Sequence, residues 1–135
     1  MISGSEKHRF ICTDSGCGKL YWFDEEGNIT KEFHVDAACY DVWALPDGNI
    51  LYPHFGKGSD GVSIVTPDGA LVFRYETKGE VFGCQPLPNG NILTGELIPK
   101  RLCEVFVSIM RTFSTVNALD TMMLSTVVFL KTSPS

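Results

Sequence analysis

The sequence predicts an all-β fold assembled from repeated four-stranded antiparallel units, on three observations. First, Leu45-Pro46-Asp47-Gly48-Asn49-Ile50-Leu51 returns as Leu87-Pro88-Asn89-Gly90-Asn91-Ile92-Leu93 after 42 residues, and self-similarity at a fixed period of this size marks a repeat architecture. Second, the runs between turns are four to seven residues long and rich in β-branched and aromatic side chains, the types that suit a pleated, half-buried surface. Third, nothing in residues 1–96 holds a helical period over three turns.

The same offset carries Gly16 onto Gly58 and Glu26-Gly27 onto Asp68-Gly69. It carries Leu20-Tyr21-Trp22-Phe23 onto Val62-Ser63-Ile64-Val65, and Ile29 and Phe33 onto Leu71 and Tyr75, with no gap from Phe10 to Leu93. In the complete period, Tyr40 to Leu45 and Asn49 to Pro53 read as strands flanking Pro46-Asp47-Gly48. Gly61 to Thr66 and Ala70 to Tyr75 likewise flank Pro67-Asp68-Gly69. Proline presets φ at the first turn position and glycine accepts the positive φ that closes the hairpin. One period is a four-stranded meander.

Four-stranded units recurring every 40 to 50 residues or so are blades of a β-propeller. A lone blade has two apolar faces and buries them only against neighbours. The smallest common ring has about four blades, and four 42-residue periods exceed the 135 residues present. The expectation is therefore a partial propeller of about two blades with an irregular C-terminal tail. An N-terminal arm (1–7) precedes the blade repeats (8–96), which divide into a half blade (8–33), a whole blade (40–75) and a second half blade (81–96). Residues 97–135 form an atypical tail.

All 13 glycines lie at or before Gly95, and the next projected turn glycine, position 111, is Arg111. The tail reads either as a segment covering the blade edge, which would otherwise template aggregation, or as a non-native continuation such as a shifted reading frame. Turn chemistry is missing from it, which favours the second. Val105-Phe106-Val107 is the strand expected there. Open blade edges predict self-association.

Eleven Lys+Arg against 16 Asp+Glu give a formal charge of −5 and a pI near 5.1. That balance argues against nucleic acid or anionic lipid as a partner, since both reward a basic face. No run reaches the roughly 18 apolar residues of a spanning helix; the nearest, Met122 to Leu130, is broken by Ser125 and Thr126. The first residues lack the apolar core of a signal peptide. Five cysteines at irregular spacing, an odd number, read as reduced thiols serving as small apolar side chains.

Tyr40-Asp41-Val42-Trp43-Ala44-Leu45-Pro46-Asp47-Gly48-Asn49-Ile50-Leu51 and Cys84 to Leu93, with the glycine hairpins between them, resemble propeller repeats of the aryl-sulfotransferase-like and pyrroloquinoline-quinone-like superfamily over residues 8–100. The resemblance implies a bacterial protein, exported or periplasmic at full length. Such families hold sulfotransferases, quinone-dependent dehydrogenases and propellers that only bind or scaffold. The Thr-Gly-x-x-x-Trp quinone-docking motif is absent from this sequence, as are Trp-Asp repeats, because Trp22 and Trp43 precede Phe23 and Ala44. None of His8, His34 and His54 matches a sulfotransferase motif, so no catalytic residue is carried over.

By the 42-residue offset, Cys12, His54 and Glu96 are equivalent, each just past the end of the same strand. Equivalent positions on adjacent blades face one rim, where a small-molecule or protein ligand would bind. A Cys/His/Glu set also has zinc-ligand and acid–base chemistry, but sheets stack about 10 Å apart, too far for a shared ion. No metal or cofactor is expected. Cys12 and Cys17 lack a second pair at zinc-ribbon spacing, and Lys57-Gly58-Ser59-Asp60-Gly61 lacks the phosphate-loop string. Asp41 shares a strand face with Trp43 and is the channel candidate. Trp22, Phe23, Trp43, Phe73, Tyr75 and Phe82 read as inter-blade packing. The expected function is non-catalytic binding through the loops after the second strand of each blade. The alternative is a fragment of an exported enzyme similar to the aryl sulfotransferases, with its catalytic residues in other blades.

Overall fold

The computed structural model describes residues 6–35, 37–97 and 100–107. Three antiparallel sheets follow one another along the chain. The first holds β1 (Phe10–Asp14), β2 (Lys19–Phe23) and β3 (Ile29–His34). The second holds β4 (Trp43–Ala44), β5 (Ile50–His54), β6 (Gly61–Val65) and β7 (Leu71–Glu76). β8 (Val81–Pro86), β9 (Ile92–Glu96) and β10 (Arg101–Val105) form the third. Each sheet is a meander, and together they make a partial, all-β propeller.

The glycine turns explain the meanders. Gly27, Gly48, Gly69 and Gly90 all have φ between 84° and 88°, a region that costs glycine little and other residues much. Each accepts the chain reversal while the flanking strands close around it, with the Leu45 and Leu87 amides donating to the Asn49 and Asn91 carbonyls at 2.8 Å. These four turns lie at one rim, the turn rim. At the other, the loop rim, the connections 15–18, 35–42, 55–60, 77–80 and 97–100 differ in length.

Burial on both faces explains why β5 and β6 read as continuous apolar runs; every residue in them is buried. Leu51, Val62, Ile64, Phe73 and Tyr75 of the middle blade pack against Val81, Cys84, Ile92 and Val105 of the third. On the opposite face Ile50, Tyr52 and Val65 meet Leu20, Val35, Ala37 and Cys39, with Ile11, Trp22 and Phe33 alongside. The outermost strand β7 alternates, showing Leu71 and Val72 to solvent before Phe73 and Tyr75 turn inward.

Two expectations change. Among the described residues the third blade reaches beyond 81–96, because β10 adds a third strand to β8 and β9, while β1 to β3 span the first half blade. The ungapped repeat also fails at the loop rim. His54 pairs with Gly61 across a six-residue loop, whereas Asp14 pairs with Lys19 and Glu96 with Arg101 across four. β10 therefore starts two residues earlier than projected, at Arg101 rather than Cys103, and Val105 is its last residue. The first strand of the middle blade is shorter than Tyr40–Leu45; apart from the isolated Ala38–Phe55 bridge it pairs only through Trp43 and Ala44. Residues 108–135, including the Met122–Leu130 run, lie outside the described residues.

Leu51, fully buried between two blades, should lose about 2–5 kcal/mol on truncation to alanine. Leu71→Ala, at a site 59 % exposed, should change stability by less than about 0.5 kcal/mol. Urea unfolding of both variants checks this, and equal losses would refute the two-faced burial.

Candidate functional site

His54 and Glu96 end β5 and β9 at equivalent positions on the loop rim. Cys12 does not join them. It sits mid-strand opposite Tyr21, and Asp14 is the residue that matches His54 and Glu96 in the pairing. The error lies in the four-residue loop at 15–18, which displaces β1 by two positions relative to the projected repeat. Asp14 receives the Cys17 amide at 3.1 Å, and the Cys17 hydrogen bonds hold its carboxyl below the ordinary value.

Glu96 is 3 % exposed and anchors a polar cluster between the middle and third blades. Arg101 Nε donates to Oε2 at 2.7 Å, and the Tyr75 hydroxyl and Cys103 thiol donate to Oε1 at 3.1 and 3.4 Å. Burial alone would push this carboxyl up, but hydrogen bonds from Arg101, Cys103 and Thr77, with the guanidinium charge, hold it below its usual value. Burial and the Glu96 charge push the Tyr75 hydroxyl up to about 12 and the Cys103 thiol up to about 11. Cys103 therefore stays protonated near neutrality and is a donor rather than a nucleophile. Over this cluster opens a cleft of about 560 Å³, walled by Tyr75, Glu76, Thr77, Lys78 and Gly79 on one side and by Glu96 and Arg101 on the other. Glu76, on its wall, pairs with Arg74 at 3.0 Å.

His54, 2 % exposed, forms its own network on the face toward the first blade. Its Nδ1 lies 3.0 Å from the Ser59 carbonyl and its Nε2 lies 2.8 Å from Ser63 Oγ. A carbonyl only accepts, so Nδ1 carries the proton and Nε2 accepts from the Ser63 hydroxyl. Desolvation lowers the imidazole pKa against the Ser59 hydrogen bond, and the ring is neutral. Ser63–His54 has the spacing of an activated nucleophile, but Ser63 is 0 % exposed, so no substrate reaches it. The pair is a satisfied polar core. Arg74 Nη2 closes the network onto Ser59 Oγ at 2.6 Å.

Asp41 stands away from both networks, between the innermost strands. Its Oδ2 accepts from the Cys84 amide and from Trp43 Nε1, both at 3.2 Å, and its Oδ1 from the Val42 amide at 2.9 Å. Trp43 Nε1 also reaches the Cys84 carbonyl at 2.7 Å. Asp41 and Trp43 thus fasten the middle blade to the third. Nearby, burial raises the Cys39 thiol to about 12 and the Cys84 thiol further. All five cysteines are free. Among the described residues no three His, Cys, Asp or Glu side chains converge as metal ligands.

Of the aromatic residues, Phe73 and Tyr75 are core. Phe82 meets Phe55 and Tyr40 of the middle blade at 4.6 and 5.6 Å between centroids, an inter-blade cluster on the loop rim. Phe23 stacks instead on Phe10 within its own sheet at 4.6 Å. Arg101 was not singled out in the sequence and Tyr75 was read as inter-blade packing alone, because their meeting at Glu96 depends on the four-residue 97–100 loop and on contact between blades. A basic residue closing the hairpin opposite Glu96 was the available signal.

No protein-family description matches the chain, and no curated protein does. Solved structures do. A protein of unknown function from Bacteroides caccae is 25 % identical, with a TM-score of 0.60 over 72 % of this chain and 36 % of its own. Catalytically inactive virginiamycin B lyase from Staphylococcus aureus, with quinupristin, is 18 % identical, with a TM-score of 0.62 over 77 % of this chain and 36 % of the lyase. A streptogramin B lyase is 14 % identical, with a TM-score of 0.59 over 74 % and 34 %. The chain is a sector of a β-propeller. It spans about a third of the length of these structures, and the likeness to the two lyases shows the fold alone.

Both buried groups make stability fall with acid, in separate windows. The His54 pKa is depressed below its ordinary 6.5, so its contribution is whole above that pH and is lost as pH falls through the folded-state value. Glu96 is depressed below its ordinary 4.5, so its contribution holds above 4.5 and disappears further down. Urea midpoints across pH 7 to 3 should show two stages. His54→Gln should remove the upper and Glu96→Gln the lower, the latter also losing about 1–3 kcal/mol at neutrality. An upper stage that survives His54→Gln would refute the neutral imidazole.

Proposed function

We propose that this chain is a ligand-binding sector of a propeller, without catalysis of its own, working through the loop rim. The cleft between the middle and third blades takes a small oxyanion. One observation carries this reading: a buried carboxylate, Glu96, holds Arg101 at 2.7 Å by Nε, the one hydrogen bond of that guanidinium among the described residues, at the wall of a cleft of about 560 Å³. A guanidinium held by one edge keeps its Nη groups for a planar or tetrahedral anion, which it can grip with two hydrogen bonds. Lys78 adds a second cation on the facing wall. Tyr75, its hydroxyl committed to Glu96, supplies a rigid side to the cleft.

His54 supports the rim from within, because its ring ties the 55–60 loop to β6 through Ser59 and Ser63. Cys12 and Asp41 act beside the rim rather than in the cleft. The resemblance to aryl-sulfotransferase-like blades makes sulfate the first probe, with acetate as the carboxylate comparison.

Titration of the ¹⁵N-labelled chain with sulfate and with acetate should give saturable amide shifts in residues 77–80 and 94–103. Arg101→Gln should weaken the binding by roughly tenfold or more, the worth of a charge-assisted hydrogen bond. Linear, non-saturating shifts, or saturation unchanged in Arg101→Gln, would refute the reading.

A further inference from the structure

We propose that His54 is a proton-operated latch on the 55–60 loop and that its protonation weakens anion binding in the cleft between the middle and third blades, a regulation that rests on the oxyanion reading of that cleft.

The loop joins the two places. At its start Phe55 and Ala38 exchange backbone hydrogen bonds, at 2.9 and 3.0 Å. At its far end Asp60 accepts the Gly56 amide on Oδ1 at 3.0 Å and the Thr77 amide on its carbonyl at 2.8 Å. Thr77 is a wall of the cleft, and its hydroxyl receives the Gly79 amide at 2.9 Å. Between these ends Gly56, Lys57 and Gly58 run through the left-handed region, with φ of 91°, 55° and 75°. Lysine adopts that conformation at a cost, so the loop keeps its shape only while its hydrogen bonds hold.

The His54 ring supplies the fastening in the middle. In the neutral form Nδ1 donates to the Ser59 carbonyl and Nε2 accepts from Ser63. Ser59 Oγ lies 3.1 Å from Nδ1 and accepts from Arg74 Nη2 at 2.6 Å. Arg74 Nε in turn holds Glu76, another wall of the cleft, at 3.0 Å.

A second proton on the ring conflicts with this arrangement. Nε2 becomes a donor, so the Ser63 hydroxyl must turn away from it at a site 0 % exposed. The Arg74 guanidinium, one hydroxyl away, repels the new charge. Among the described residues the carboxylates that attract it are Glu76 and Asp60. Each already serves the closed loop, one through Arg74 and the other through the Gly56 amide. Tyr52, its ring 5.8 Å from that of His54, belongs to the apolar cluster of Val35, Ala37 and Cys39, and burial keeps the Cys39 thiol protonated. Either the ring leaves with the loop or a carboxylate turns toward it. Both routes release a contact that holds the loop or Glu76, and the cleft wall loosens. Desolvation keeps the ring neutral near pH 7, so the latch is closed there and opens in acid.

Linkage is reciprocal, and its sign separates a latch from plain electrostatics. An anion that prefers the latched form makes His54 harder to protonate, whereas an anion acting only through its charge makes it easier. NMR of the full chain follows the His54 ring from pH 8 to 4, with and without saturating sulfate at constant ionic strength. Sulfate should move the His54 midpoint about one pH unit lower, equivalent to a tenfold loss of affinity on protonation. Without sulfate, the amides of residues 56–60 and 77–79 should titrate with the ring, and His54→Gln should remove that step. A midpoint that rises or stays, a ring still neutral at pH 4, or loop and cleft amides that ignore the ring would each overturn the latch and leave the anion site standing. Absence of saturable sulfate binding at pH 7.5 would remove the site and its regulation together.

Discussion

Lateral contact between blades is the constraint on which everything else in this structure depends. A twisted four-stranded sheet with apolar residues on both faces cannot satisfy itself. The middle blade does so by giving Leu51, Val62, Ile64 and Phe73 to one neighbour and Ile50, Tyr52 and Val65 to the other. Polar contacts then fix the angle at which blades meet: Asp41 and Trp43 bind the Cys84 backbone near the axis, and Tyr75 binds Glu96 at the rim. The same requirement leaves the outer faces and edges incomplete, with Phe10 and Leu102 half-exposed.

The two rims divide the labour. Glycine turns of nearly identical geometry close one rim and leave little room for variation. Loops of unequal length cross the other, and their titratable residues can change without disturbing the ladder. Asp14, His54 and Glu96 occupy one structural position in three blades and meet three different partners. His54 is consumed by the core. Glu96 instead accepts from Arg101 at the wall of the cleft between the middle and third blades, where the proposed binding site lies.

Much of the fold was legible in the sequence because turn chemistry and strand composition are local properties. The Leu-Pro-Asx-Gly-Asn blocks named the period, and β5, β6 and β7 fall within a residue or so of where their side chains alternate or run apolar. The site was half legible. His54 and Glu96 lie at matching rim positions, but the 42-residue offset points to Cys12 where the ladder has Asp14, because periodicity counts residues and cannot see that a loop is two shorter.

By itself the sequence determined that the chain is all-β, that its unit is a four-stranded meander and that the unit needs neighbours, since each follows from residue type at fixed spacing. Only the tertiary structure decided which face of each strand meets which blade, that β10 begins at Arg101, and that Tyr75, Glu96, Arg101 and Cys103 converge. The physical reason is separation along the chain. Tyr75 and Glu96 are 21 residues apart, and their contact depends on inter-blade packing and strand register, which no local pattern encodes.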